Sequence, residues 1–214
     1  MRIFNPDGSE VDMCGNGSRC VALYAVKEKI CGNKMVIETR AGNLQATVKQ
    51  DRIKIKMSNP FDLRLKFNLD INGRTQNVNY VNTGVPHLVC FVQGLDDFNV
   101  QETGRAIRYH PEFQPEGTNA NFVQVLDKDH IRLRTYERGV EQETLACGTG
   151  AVAASIITTC QMEKPQGRYR IKVDTQGGEP LTVYFNIKNS NIDEVFLEGE
   201  AKIVYKAKRE ALDV

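Results

Sequence analysis

No stretch of this sequence approaches the roughly 20 consecutive apolar residues that a membrane-spanning helix needs. Neither sign of charge is in excess, since 28 basic and 27 acidic residues leave a net charge of +1 over 214 residues. The first absence argues against a helical membrane span, and the second against a broad basic face for nucleic acid or anionic lipid. The polar start MRIFNPDGSE lacks the apolar core of a signal peptide, so the expected location is the cytoplasm. No Cys-x-x-Cys occurs, and His87, His110 and His130 are not spaced near cysteines as zinc ligands usually are. No metal site is therefore expected. In a reducing compartment the cysteines are expected to be free thiols. Cys20, Cys31, Cys90 and Cys160 read as small core hydrophobes, His110 and His130 as surface residues, and the basic stretch KAKRE as a solvated tail. Cys14 and Cys147 stand apart.

What is present is an internal repeat. Met13-Cys14-Gly15-Asn16-Gly17 resembles Ala146-Cys147-Gly148-Thr149-Gly150, and each opens an apolar, helix-like stretch, SRCVALYAVKEK and AVAASIITTCQM. Arg2-Ile3-Phe4-Asn5 lies 12 residues before Cys14, and Arg134-Thr135-Tyr136-Glu137 lies 13 before Cys147. Arg2 and Arg134 read as strand-flanking residues. Downstream, VIET, a glycine turn and Leu44 match KVDT, a glycine turn and Leu181, and RIKIKM matches DEVFLEG. The order in both copies is strand, acidic loop, Cys-Gly-x-Gly, helix and three strands. Alternating apolar and polar residues joined by tight turns predict antiparallel hairpins. Helices apolar nearly all round predict burial. The expected fold is α+β, with two pseudo-symmetric units, each a mostly antiparallel sheet wrapped around a central buried helix. The expected boundaries are 1–62 for the first unit, 63–205 for the second with 61–77 as crossover, and 206–214 for the tail.

A cysteine directly before glycines at a helix start has a definite chemistry. The first N–H groups of the helix are unpaired and partly positive, and they lower the pKa of a nearby thiol. The glycines let a ligand approach the backbone, so each motif is a thiol beside an anion cradle. Two such thiols facing one another suit stereoinversion at a carbon acid: one thiolate takes a proton and the other thiol returns one to the opposite face. An amino-acid α-proton lies roughly ten or more pKa units above a thiol, at about 1.4 kcal/mol per unit. The developing carbanion therefore needs aimed dipoles in a dry pocket.

At these residues the sequence resembles the diaminopimelate epimerase family. The resemblance is carried by Asn5-Pro6-Asp7-Gly8-Ser9-Glu10 before the first motif, Glu137-Arg138-Gly139 before the second, Asn82-Thr83-Gly84-Val85-Pro86-His87, and Gly117-Thr118-Asn119-Ala120-Asn121-Phe122. It implies a pyridoxal-independent, cofactor-free isomerase that interconverts LL- and meso-diaminopimelate in lysine and cell-wall biosynthesis. It implies Cys14 and Cys147 as acid/base thiols, and Gly15, Asn16, Gly148 and Thr149 as the α-carboxylate cradle. Glu137 would accept from the α-ammonium and help position a thiol, with His87 in a similar supporting role near the other thiol. Arg138 would pair with the distal carboxylate, and Asn5 and Asn119 would bond the distal end. Val85 stands where many relatives carry a substrate-binding asparagine, so that role is not carried over. The expected partner is a small-molecule substrate, with neither nucleic acid nor membrane; a homodimer is left open.

Gly148 to Ala153 fits GxGxxA, but ETLAC before it is not a buried apolar strand, so a dinucleotide site is disfavoured. Proline racemase and hydroxyproline epimerase relatives share the paired cysteines but usually carry histidine at the position of Asn16. A redox-sensing dithiol is the reading from a different class. The matched block of copy one begins at Arg2, whereas in copy two material from about Val78 to Arg134 leads into it. The repeat therefore predicts an N-terminally shortened epimerase, lacking roughly 55–60 residues, with part of its first helix exposed and its activity open.

Overall fold

Short alternating segments become strands, and the two cysteine-led apolar segments become helices. The computed structural model describes residues 1–4, 8, 10–11, 14–162 and 166–207. Two units result: Met1–Ile53 with Glu200–Val214, and Lys54–Gly199.

In the first unit, β1 (Ile3–Phe4) and β2 (Glu10–Val11) pair antiparallel and are followed by α1 (Gly15–Lys27). Then come β3 (Lys34–Thr39), β4 (Gly42–Lys49) and the start of β5 (Arg52–Lys56). β3 and β4 form a hairpin in the register Lys34↔Thr47 to Thr39↔Gly42. α1 packs on this hairpin through Ser18, Arg19, Ala22 and Leu23. Burial all round, expected from its composition, is not found: Tyr24 is 53% exposed and Val21 38%. The two strands in contact with α1 cover only the stripe that recurs every three to four residues.

The second unit contains β6 (Phe61–Ile71), β7 (Arg74–Asn82), β8 (Pro86–Phe91), α2 (Val100–Arg108), β9 (Asn119–Asp127), β10 (His130–Glu137) and β11 (Gln142–Thr144). It continues with α3 (Gly148–Cys160), β12 (Gly167–Thr175), β13 (Leu181–Lys188) and β14 (Asn191–Glu200). The strands run in the order β14-β13-β12-β10-β9-β8-β7-β6, with β11 hydrogen-bonded to β10. Pairing is mostly antiparallel, with parallel steps at β8–β9 and β10–β12. The stretch 61–77 is not a crossover: it is β6 and the start of β7, a hairpin turning at Asn72 and Gly73, whose φ values of 55° and 74° fit a tight turn of the primed type.

The sheet curls around α3, which touches β7, β8, β9, β10, β12 and β13. Gly150 through Thr159 are all buried, as expected of a helix apolar nearly all round. The opposite face of the sheet carries a second core of Leu88, Cys90, Phe122, Tyr136, Val100 and Ile107 beneath α2. Strand alternation decides which residues face α3. Where Leu88 and Cys90 face α2, His87 and Val89 face α3; where Ala120 and Phe122 face α2, Asn119 and Asn121 face α3.

Lys206 ion-pairs with Glu28, while 208–214 lie outside the described residues. Among the described residues no helix is long and apolar enough to cross a membrane.

Candidate active site

Each repeated cysteine is the N-cap of its helix in extended backbone, Cys14 at φ −137° and ψ 116°, Cys147 at φ −113° and ψ 111°. An extended residue leading into a helix aims its side chain back over the first unpaired N–H groups. Gly17 N–H donates to Cys14 Sγ at 3.4 Å. Ser18 Oγ donates to the Cys14 carbonyl at 2.9 Å, and the Arg19 guanidinium holds Asn16 Oδ1 at 2.8 Å. Gly15 and Asn16 thus form the first turn of α1, as the repeat predicted. Asn5 lies outside the described residues.

In the second unit Cys147 is 6% exposed, with its sulfur 3.5 Å from Thr149 Oγ1. Gly148 and Gly150 admit close neighbours. A Cβ on Gly148 would meet Leu197 at 2.8 Å, and one on Gly150 would meet Asn121 Oδ1 at 2.5 Å. Thr83 Oγ1 donates to the Thr149 carbonyl at 3.3 Å, tying the loop before β8 to the helix start.

Glu137 ends β10. Thr144 Oγ1 on the paired strand β11 donates to its Oε2 at 2.8 Å. Burial pushes the Glu137 carboxyl above its ordinary range, against the hydrogen bonds from Thr144 and from the Cys147 thiol beside it. Arg138 N–H donates to Asn119 Oδ1 at 2.9 Å, and its guanidinium bonds the Glu116 carbonyl at 3.0 Å. Asn119 Nδ2 donates to the Pro86 carbonyl at 2.8 Å. The Asn119 amide therefore locks the Arg138 loop to β8. Val85 is half-buried, and its carbonyl accepts from Thr83 N–H at 3.1 Å.

His87 is fully buried. Burial, with a smaller push from the Arg138 charge, lowers its pKa to about 3 against a hydrogen bond with Asn121, so the imidazole is neutral near pH 7. Asn121 Nδ2 lies 3.1 Å from His87 Nδ1, and Nε2 is buried without a hydrogen-bond partner among the described residues. A buried donor left unpaired costs about 1–3 kcal/mol.

The second unit thus gathers His87, Asn119, Glu137, Arg138, Cys147, Gly148 and Thr149 around the start of α3. Sequence reasoning assigned no role to Asn121, Thr135 or Thr144. The signal available was alternation in NANF, which puts two polar side chains on the face that must pack against an apolar helix. Arg2 and Arg134 are more than strand-flanking. Arg2 grips Glu10 through Nε at 2.8 Å and Nη2 at 3.0 Å, and Arg134 grips Glu143 through the same atoms at 2.7 and 2.8 Å. Each bidentate clamp ties a strand to the residue four positions before the cysteine. An open cleft of about 310 Å³ in this unit is lined by Arg64, Tyr80, Asn82, Pro86, Glu112 and neighbours, with none of the predicted site residues among them. Among the described residues no group of three or more His, Cys, Asp or Glu is arranged to hold a metal.

The sequence profile described as Diaminopimelate epimerase matches residues 1–61 and 79–204. The diaminopimelate epimerase of Aquifex aeolicus is 44% identical over 96% of this chain and 72% of its own length. Those of Hydrogenobaculum sp. and Chlorobaculum tepidum are 43% and 36% identical, over 95% and 96% of this chain and 72% and 78% of their own lengths. In fold, the chain is similar to a phenazine biosynthesis protein of the PhzF family from Bacillus anthracis, with a TM-score of 0.68 at 18% identity, covering 93% of this chain and 76% of that one. A putative PhzC/PhzF protein from Clostridium difficile gives 0.66 at 13% identity, over 98% and 78%. With this extent of match, and with both cysteine-capped helix starts in place, the chain belongs to the diaminopimelate epimerase family.

Proposed function

We propose that Cys14 and Cys147 are the two acid/base groups of a cofactor-independent epimerisation that converts LL-diaminopimelate to the meso form. The chain is an isomerase of the epimerase type by family. The observation that carries the two-thiol reading is the repetition of a cysteine at the N-cap of a glycine-rich first turn, once in each unit. In the forward direction one thiolate takes the Cα proton, leaving its electron pair on Cα. The other thiol then gives its proton to the opposite face and becomes the thiolate. The net change is inversion at one carbon.

The α-carboxylate next to the carbanion is the group the first-turn N–H donors of Gly15, Asn16, Gly148 and Thr149 would stabilise. Glu137, hydrogen-bonded to Cys147, supports the reading as a group that positions that thiol, and Thr144 as the residue that orients Glu137. Arg138 supplies a cation for the distal carboxylate, the feature separating this substrate from amino acids with an apolar or cyclic side chain.

Single Cys14→Ser and Cys147→Ser variants in deuterated water test the mechanism. Each should lose epimerisation while losing isotope exchange from one substrate isomer more than from the other. Wild-type epimerisation by either variant overturns the assignment. Arg138→Ala should mainly raise KM and remove preference for a substrate bearing a distal carboxylate; unchanged preference argues against its role.

A further inference from the structure

Asn121 is fully buried on β9, where strand register places it beside Val89 of β8 and Thr135 of β10. It lies against the first turn of α3, and Gly150 is needed there because a Cβ would meet Asn121 Oδ1 at 2.5 Å. Its surroundings fix which way its amide points. The Leu88 carbonyl, which can only accept, lies 2.8 Å from Nδ2. The Thr135 hydroxyl lies 3.1 Å from Oδ1 and can donate to it. The second Nδ2 hydrogen is then directed at His87 Nδ1, 3.1 Å away. A hydrogen on Nδ1 would set two N–H groups against each other at that distance. Nδ1 must therefore accept, and the proton of the neutral ring sits on Nε2. Nε2 is the buried atom left without a partner among the described residues.

We propose that Asn121, braced by Thr135, is a positioning residue that holds His87 in its Nε2–H tautomer, so that His87 serves the reaction as a neutral hydrogen-bond donor to an anion and not as a base. The ring has one lone pair, on Nδ1, and Asn121 occupies it. A base role would need that lone pair free, whereas a donor role needs only the Nε2 hydrogen. The anion is a group that gains negative charge during epimerisation. This role rests on the reading of His87 as part of the epimerase site, while the tautomer itself does not.

Nitrogen-15 NMR of the histidine rings tests both parts, with the His87 signals assigned by their loss in His87→Gln. In the wild-type protein Nδ1 should show the shift of an unprotonated nitrogen and Nε2 that of a protonated one, unchanged between about pH 5 and 8. Asn121→Asp, whose carboxylate can only accept, should move the proton to Nδ1 and lower kcat by at least about tenfold with KM within about threefold, the pattern expected of a wrong tautomer. Thr135→Val should give a mixture of tautomers, and Thr135→Ser should restore one. If the wild-type ring carries its proton on Nδ1, the proposal fails, and this reading needs no variant to fold. If Asn121→Asp moves the proton and kcat is unchanged, the donor role fails and the tautomer assignment stands. Epimerisation at the wild-type rate by Cys14→Ser or Cys147→Ser would sink the two-thiol mechanism and leave the tautomer result untouched, so the two failures are told apart.

Discussion

The same local design occurs twice in this chain and meets two different environments. Around α1 the Arg2–Glu10 clamp is open to water, with the arginine side chain 70% exposed; around α3 the Arg134–Glu143 clamp is enclosed, with the arginine 14% exposed. Arg134 also donates to the carbonyls of Leu95 and Phe98, at 2.7 and 3.0 Å. Cys14 is partly exposed where Cys147 is buried, and α1 buries one stripe where α3 buries nearly its whole surface. The repeated residues thus specify a capped helix and a braced loop, while the energetic weight of each copy is set by what packs around it. Exposed ion pairs contribute little, because water screens them and the side chains lose entropy to form them.

The largest expected effect is on activity, where the copies should behave alike despite their different burial. Replacing either Cys14 or Cys147 by alanine should lower epimerisation by about 10²–10⁴-fold, the range of acid–base catalysis, in a steady-state assay run in both directions. A deep loss for one and a shallow loss for the other would break the equivalence. Stability should separate the copies. Arg134→Ala removes the bidentate partner of Glu143 and the guanidinium that bridges the Leu95, Asp96 and Phe98 carbonyls, and should cost about 1–3 kcal/mol in urea unfolding. Arg2→Ala should leave the unfolding midpoint unchanged.

The glycines sharpen the same point. Gly150→Ala should cost about 1–3 kcal/mol by overpacking against Asn121. Gly17→Ala, whose Cβ would find Cys14 atoms no nearer than 3.7 Å, should be neutral or stabilise by about 0.5–1 kcal/mol through helix propensity. Thermal unfolding of the two variants checks this.

The last contrast is in pH. His87 is depressed to about 3, so below its unfolded value of about 6.5 the unfolded chain binds a proton that the fold does not. Stability from this group is complete above about pH 6.5 and is lost as pH falls towards 3, by up to about 1.4 kcal/mol per pH unit. His87→Gln should flatten that part of the curve in urea titrations between about pH 7 and 5.

Much of this was legible in the chain itself. Cys-Gly-x-Gly followed by an apolar run identified both helix starts, because capping chemistry is local. The three strands after each helix were legible from alternation and glycine turns. The stretch 61–77 reads as a crossover because it has no repeat partner, although Asn72-Gly73 between alternating runs is a hairpin signal in its own right. The clamp roles of Arg2 and Arg134 were out of reach. They need the register that sets Phe4 opposite Glu10 and Tyr136 opposite Glu143, and register depends on which strands pair.

Sequence by itself determined what lies within about a turn of helix or strand: two thiols at two helix N-termini, glycines beside them, and the order of elements in each copy. The tertiary structure decided what depends on residues far apart in the chain. Asn121 meets His87 across 34 positions, and Arg134 reaches the carbonyls before α2. Whether a helix stripe is covered follows from which strands lie on it. Burial, protonation state and tautomer are set by such neighbours, because the cost of a charge or an unpaired hydrogen depends on the medium around it.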